Sequence, residues 1–140
     1  MTDSTDERLQ RGLRTIGQLF PPGTPGMPAF EYPPEILSHW REFSVTTVMG
    51  DVWGRPQLDL QSRAMVTIAA LTALGRTSQL QAYIAGGLNV GLTREQISEV
   101  ILHMSVYAGF PAAIQAFSVA ADVFNSFDDG ARELDSDSDS

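Results

Sequence analysis

Apolar residues recur at helical spacing along most of the chain, and strand-like alternation never runs beyond three residues. In residues 7–20, Leu9, Leu13, Ile16 and Phe20 fall on one helical face. Residues 21–34 carry six prolines and two glycines, which predicts an extended connection wrapped over the body. Pro34 suits a first helical turn, and Ile36, Leu37, Trp40, Phe43 and Val48 continue a helix from it. GDVWGRPQ, residues 50–57, reads as a break. Asp59 then caps a helix through Leu74, and its nearly unbroken apolar run from Met65 predicts burial on all sides.

GRT, residues 75–77, turns the chain into a helix over 78–90, with Leu80, Tyr83, Ile84, Gly87 and Leu88 on one side. Its Gly86-Gly87 pair lowers helix propensity but lets another backbone come close, and Gly91 ends it. Thr93 and Gln96 form a capping box for a helix whose core stripe is Ile97, Val100, Ile101, Met104 and Ala108. Gly109 stops that helix and Pro111 opens the last, so AGFP is a tight corner. Phe110, Ala113, Ile114, Phe117, Ala120, Ala121 and Phe124 follow at helical spacing. The pattern predicts an all-α fold of about six helices in helical hairpins. It forms a single domain over residues 7–127, between a loose stretch at 1–6 and an acidic tail at 128–140 expected to be disordered.

Composition narrows the function classes. The net charge is −8, and residues 128–140 hold six acids and one arginine. The body is therefore only weakly acidic, which argues against nucleic acid, since that affinity rests on basic side chains at phosphates. The Asp-Ser repeat of the tail reads as solvated chain. No run approaches the roughly 20 apolar residues of a membrane span, and the polar start MTDSTDERLQ is unlike a signal peptide. With no cysteine there is neither disulfide nor thiol chemistry. The expectation is a cytoplasmic protein with a small-molecule substrate, no nucleic acid and no membrane.

Candidate chemistry centres on His103, one of two histidines. Glu99, His103 and Tyr107 are four residues apart and line one edge of their helix beside its apolar stripe. Imidazole is the side chain suited to general acid or base work near neutral pH. A core histidine that bridges helices satisfies the same spacing, so both roles stay open at this level. Trp53 lies in the predicted break, as a pocket lid or a core plug. Arg41, Arg55 and Arg63 are candidates for a substrate carboxylate, and Arg63, at the head of the apolar helix, is the one expected to point inward. His39 reads as a surface residue. No metal-ligand spacing, phosphate-cradling loop or G-x-S-x-G elbow is present.

The stretches GDVWGRPQLDLQSRAMVTIAALTALGR and LQAYIAGGLNVGLTREQISEVILHMSVYAGFPAA, with AADVF near the end of the last helix, resemble the carboxymuconolactone decarboxylase family. The resemblance spans Phe43 to Phe124, and GDVWGRPQLD resembles its decarboxylase branch in particular. It implies an all-α fold, a homo-oligomer (a trimer or hexamer) with sites between subunits, and decarboxylation of a small lactone without metal or organic cofactor. The sister branch of alkylhydroperoxidase-D-like proteins has cysteines where this chain has Arg76 and Gln79, so thiol peroxidase chemistry is excluded.

By the same resemblance His103, Tyr107, Trp53, Arg63, Asn89 and Glu99 keep the family pattern. Tyr83 stands where the family has histidine, Ala85 where it has arginine, and Ala64 where many relatives have glutamate. The implied catalytic set is His103 as general acid/base, with Tyr83 and Tyr107 stabilising an enolate oxygen. Trp53, Arg63, Glu99 and Asn89 are the implied substrate-binding residues. A less basic pocket implies a changed substrate, with decarboxylation or a related proton-transfer step as the reaction. The other class in play is a ligand-binding or structural oligomer that kept the fold without the chemistry.

Overall fold

The computed structural model describes residues 4–138 and is all-helical among them. Helix α1 spans Thr5–Leu19, α2 Pro34–Ser44, α3 Leu60–Leu74, α4 Thr77–Asn89, α5 Arg94–Tyr107 and α6 Phe110–Ser138. Between α2 and the break at Trp53 lies a π-helical segment, Val45–Val52, that continues α2. Helices α3 to α6 pack on one another around Ile68, Leu80, Ile84, Ile97, Ile101 and Val123, all fully buried.

Local capping sets most of these boundaries. Asp59 accepts the Ser62 backbone N–H at 2.7 Å and starts α3. Thr93 and Gln96 form the reciprocal capping box that starts α5. Gly109, at φ +95°, takes a left-handed turn that side chains resist, and Pro111 follows in the first turn of α6.

The N-terminal third differs from its apolar pattern. In α1 the buried residues are Gly12, Thr15 and Leu19, whereas Leu13 is 48% exposed. The cause is a backbone-to-backbone approach. A Cβ at Gly12 would run into the Val45 carbonyl oxygen, and one at Gly50 into that of Arg8. Two glycines thus let α1 lie directly on the π-helical segment, and ion pairs lock the contact. Arg8 Nε donates to Asp51 Oδ1 at 2.8 Å, and Arg11 Nε donates to the Gly50 carbonyl at 2.8 Å. The break expected at 50–57 consequently begins later, at Trp53. Helix α2 buries none of its residues, so its aromatic positions face outward rather than inward.

Three further expectations are corrected. Helix α3 is not buried on all sides: Ala64, Ile68 and Thr72 face the core, while Val66 and Leu74 are exposed. The close approach at Gly86 is made by a side chain, since a Cβ there would lie 2.8 Å from Phe20 Cε1. The acidic tail is helical through Ser138 instead of unfolded from residue 128. Its first turn is held by Arg94, which pairs with Asp128 and lies 5.1 Å over the Phe124 ring. Of the expected loose stretch 1–6, Ser4 caps α1, Thr5 and Asp6 are helical, and residues 1–3 lie outside the described residues.

Candidate functional site

Helix α5 presents Glu99, His103 and Tyr107 along one edge, as their spacing requires. The His103 and Tyr107 rings are 5.0 Å apart, tilted by 35°. Glu99 and His103 line a groove of about 860 Å³ whose opposite wall is α3, through Met65, Val66 and Ala69. The groove is apolar apart from Glu95, Gln96, Glu99, His103 and Ser105, and no arginine lines it. In a single chain this edge is exposed rather than half-buried, and Tyr107 is 74% exposed.

Tyr83 is elsewhere. On α4 its ring stacks on Trp53, with centroids 5.7 Å apart and planes 27° apart, and meets Phe20 edge-on at 5.5 Å. Burial pushes its phenol pKa above 10.0. Its hydroxyl forms no hydrogen bond among the described residues, and it does not line the α5 groove. Trp53, 7% exposed, is a core plug rather than a lid. The structure therefore does not join Tyr83 and His103 in one pocket of one chain.

Two of the expected substrate contacts are occupied by the fold itself. Arg63 does not project into an interior. Its Nε donates to the Leu58 carbonyl at 3.0 Å and its Nη2 to the Arg55 carbonyl at 3.2 Å, which fixes the loop before α3. Asn89 gives its amide protons to the Leu19 carbonyl at 2.8 Å and to Thr24 Oγ1 at 3.0 Å, fastening the proline-rich connection to the end of α4. Ala64 and Ala85 have no accessible surface, so a charge at either position would be buried and would need a partner.

The pattern of apolar positions missed the Arg8–Asp51 clamp and the groups around it, because an ion pair 43 residues apart leaves no periodic trace. Asp51 is held below its ordinary value of 3.8, first by the Arg8 hydrogen bond and then by the charges of Arg8 and Arg11. Among the described residues no cluster of His, Asp or Glu has the grouping a metal ion needs.

The all-helical bundle agrees with the sequence resemblance, and comparison with known proteins shows the family. Residues 39–122 match the model of the Carboxymuconolactone decarboxylase family, and the chain belongs to that family. It is 45% identical over 75 residues to the 4-carboxymuconolactone decarboxylase of Acinetobacter baylyi, covering 54% of this chain and 56% of that one. It is 31% identical over 91 residues to the nitrosuccinic acid decarboxylase npaB of Metarhizium robertsii, covering 65% and 59%. A 15.0 kDa protein of the nqo9-nqo10 intergenic region of Paracoccus denitrificans is 26% identical over 136 residues, covering 89% and 96%. The chain thus spans little more than half the length of the two decarboxylases it matches.

Proposed function

We propose that the protein is a decarboxylase acting without metal or organic cofactor on a small carboxylated lactone or carbonyl compound, with His103 as its general acid/base. The observation that carries this reading is the α3–α5 groove, an apolar concavity that holds an imidazole with Glu99 beside it on the same edge. Loss of CO2 breaks a carbon–carbon bond, and its electron pair passes to a neighbouring carbonyl as an enolate. A proton must then reach carbon, and a protonated imidazole delivers it near neutral pH. In this reading Tyr107, whose ring lies 5.0 Å from that of His103 but outside the groove lining, supplies the hydrogen bond to the enolate oxygen. Tyr83 shapes the interior behind Trp53 and reaches this chemistry only indirectly.

The two named relatives decarboxylate different acids, 4-carboxymuconolactone and nitrosuccinic acid. The reaction type therefore extends further than the substrate, which supports decarboxylation of a changed substrate here. The apolar surface flanking the groove supports a homo-oligomer, a trimer or hexamer: Val106 is 77% and Phe110 71% exposed. A second copy on this face would exclude water from the groove and strengthen its electrostatics. Light scattering tests this, with a mass several times 15.2 kDa expected and a monomer contradicting it.

A second reading, a ligand-binding oligomer without catalysis, is favoured by one observation: Tyr83, Ala64 and Ala85 leave the interior apolar. Turnover of the parent beside His103→Ala separates the two. An imidazole-run enzyme shows turnover that His103→Ala abolishes, whereas a binder shows no turnover in either protein.

A further inference from the structure

The groove at His103 leaves a chemical requirement unmet. A decarboxylase must hold a carboxylate, yet the titratable groups lining that groove are Glu95, Glu99 and His103. Guanidinium groups gather instead in a separate cleft of about 500 Å³ between α1 and the loop that follows the π-helical segment. Arg11 and Arg14 enter it from α1 and Arg55 from the loop, over a floor that includes Trp53, Leu58 and Leu60. Asp59 is the one acid lining it, and that carboxylate already caps α3. Arg11 is already paired with Asp51, which leaves Arg14 and Arg55 as two cations against one committed acid, a local positive site in a chain of net charge −8.

The cleft is also built. A Cβ at Gly54 would lie 2.6 Å from the Gly50 carbonyl oxygen and 2.8 Å from both Cγ and Cδ of Arg11, so a glycine is required beside the Arg11 stem. Arg11 is then fixed by the Gly50 carbonyl. Arg63 holds the opposite wall through the Arg55 and Leu58 carbonyls. The Arg14 and Arg55 guanidinium groups, in contrast, donate no hydrogen bond and join no ion pair among the described residues. Two uncommitted forks over an apolar floor match a carboxylate attached to a carbon body better than an inorganic oxyanion.

We propose that this cleft binds a small carboxylate, through forked hydrogen bonds from Arg14 and Arg55, with the ligand's carbon skeleton on Trp53, Leu58 and Leu60. The site is separate from the His103 groove, with no lining residue in common. It rests on the decarboxylase reading only for the choice of a lactone as probe. Arg63 acts here as a positioning residue for the loop.

The test uses the full chain with Trp40→Phe, which leaves Trp53 as the sole indole. Its fluorescence is followed on adding paraconate, a five-membered lactone with one carboxylate, and in parallel γ-butyrolactone or inorganic phosphate. Paraconate should give a saturable change, phosphate a weaker one, and the neutral lactone none. Combined Arg14→Gln and Arg55→Gln should weaken paraconate binding by about ten-fold or more, with helicity unchanged by circular dichroism. Absence of paraconate binding, equal binding of the neutral lactone, or undiminished binding in the double variant would each overturn the proposal. Because no turnover is read, failure here is distinct from failure of His103 as the catalytic group.

Discussion

The two ends of the bundle are held together by different physics. Helices α3 to α6 share an apolar interior of Ile68, Ile84, Ile97, Ile101 and Val123. Helix α1 and the π-helical segment meet instead through two glycines and an ion pair, with Arg8 and Arg11 gripping Asp51 and the Gly50 carbonyl. The first arrangement tolerates exchanges of similar volume, whereas the second admits no added carbon. The candidate chemistry divides the same way, with His103 on the α3–α5 side and the arginine cleft on the α1 side.

That contrast breaks most visibly under truncation of the interior. Ile84→Ala should destabilise the whole protein by about 2–5 kcal/mol, measured as a lower denaturant midpoint. Gly50→Ala should cost about 1–3 kcal/mol through overpacking against the Arg8 carbonyl. Its loss should appear first as faster hydrogen exchange in α1 while α3 to α6 stay protected. Equal loss of protection throughout would show that the two regions are one cooperative unit.

Smaller effects follow from titration. Asp51 has a pKa lowered from 3.8 by its Arg8 hydrogen bond, so its contribution is complete above 3.8 and lost as pH falls through the lower folded value. Acid should therefore loosen α1, and Asp51→Asn should remove that acid dependence. Tyr83 carries the opposite shift. Burial raises its phenol above 10.0, so its contribution is full below 10.0 and lost as pH rises through the folded value. Of the three tyrosines, one should ionise late in an ultraviolet titration, and Tyr83→Phe should remove that late step. If the late step persists in that variant, the buried phenol is a different one.

Legibility in the sequence follows the same divide. The Asp59 cap, the Thr93–Gln96 box and the Gly109–Pro111 corner are local devices, and the residues alone identify them. The alignment of Glu99, His103 and Tyr107 is also local, and it survives in the structure. What periodicity does not reveal is which face of a helix meets a neighbour. Leu13 fits a helix and yet is exposed, because Gly12 and Gly50 bring α1 and the π-helical segment together on another face, and Trp40 lies on α2, which buries none of its residues. Nor does periodicity anticipate a helical tail, whose first turn depends on Arg94 reaching Asp128 across 34 positions. The separation of Tyr83 from His103 is likewise a tertiary fact, set by the stacking of Tyr83 on Trp53.

The most direct test is turnover of 4-carboxymuconolactone and of nitrosuccinic acid by the purified protein, following CO2 release in the parent, His103→Ala and Tyr83→Phe. The account predicts release from at least one of these acids, abolished in His103→Ala and largely kept in Tyr83→Phe. Undiminished release in His103→Ala, or its loss in Tyr83→Phe alone, would place the chemistry at the Tyr83–Trp53 side and contradict the groove as the active site.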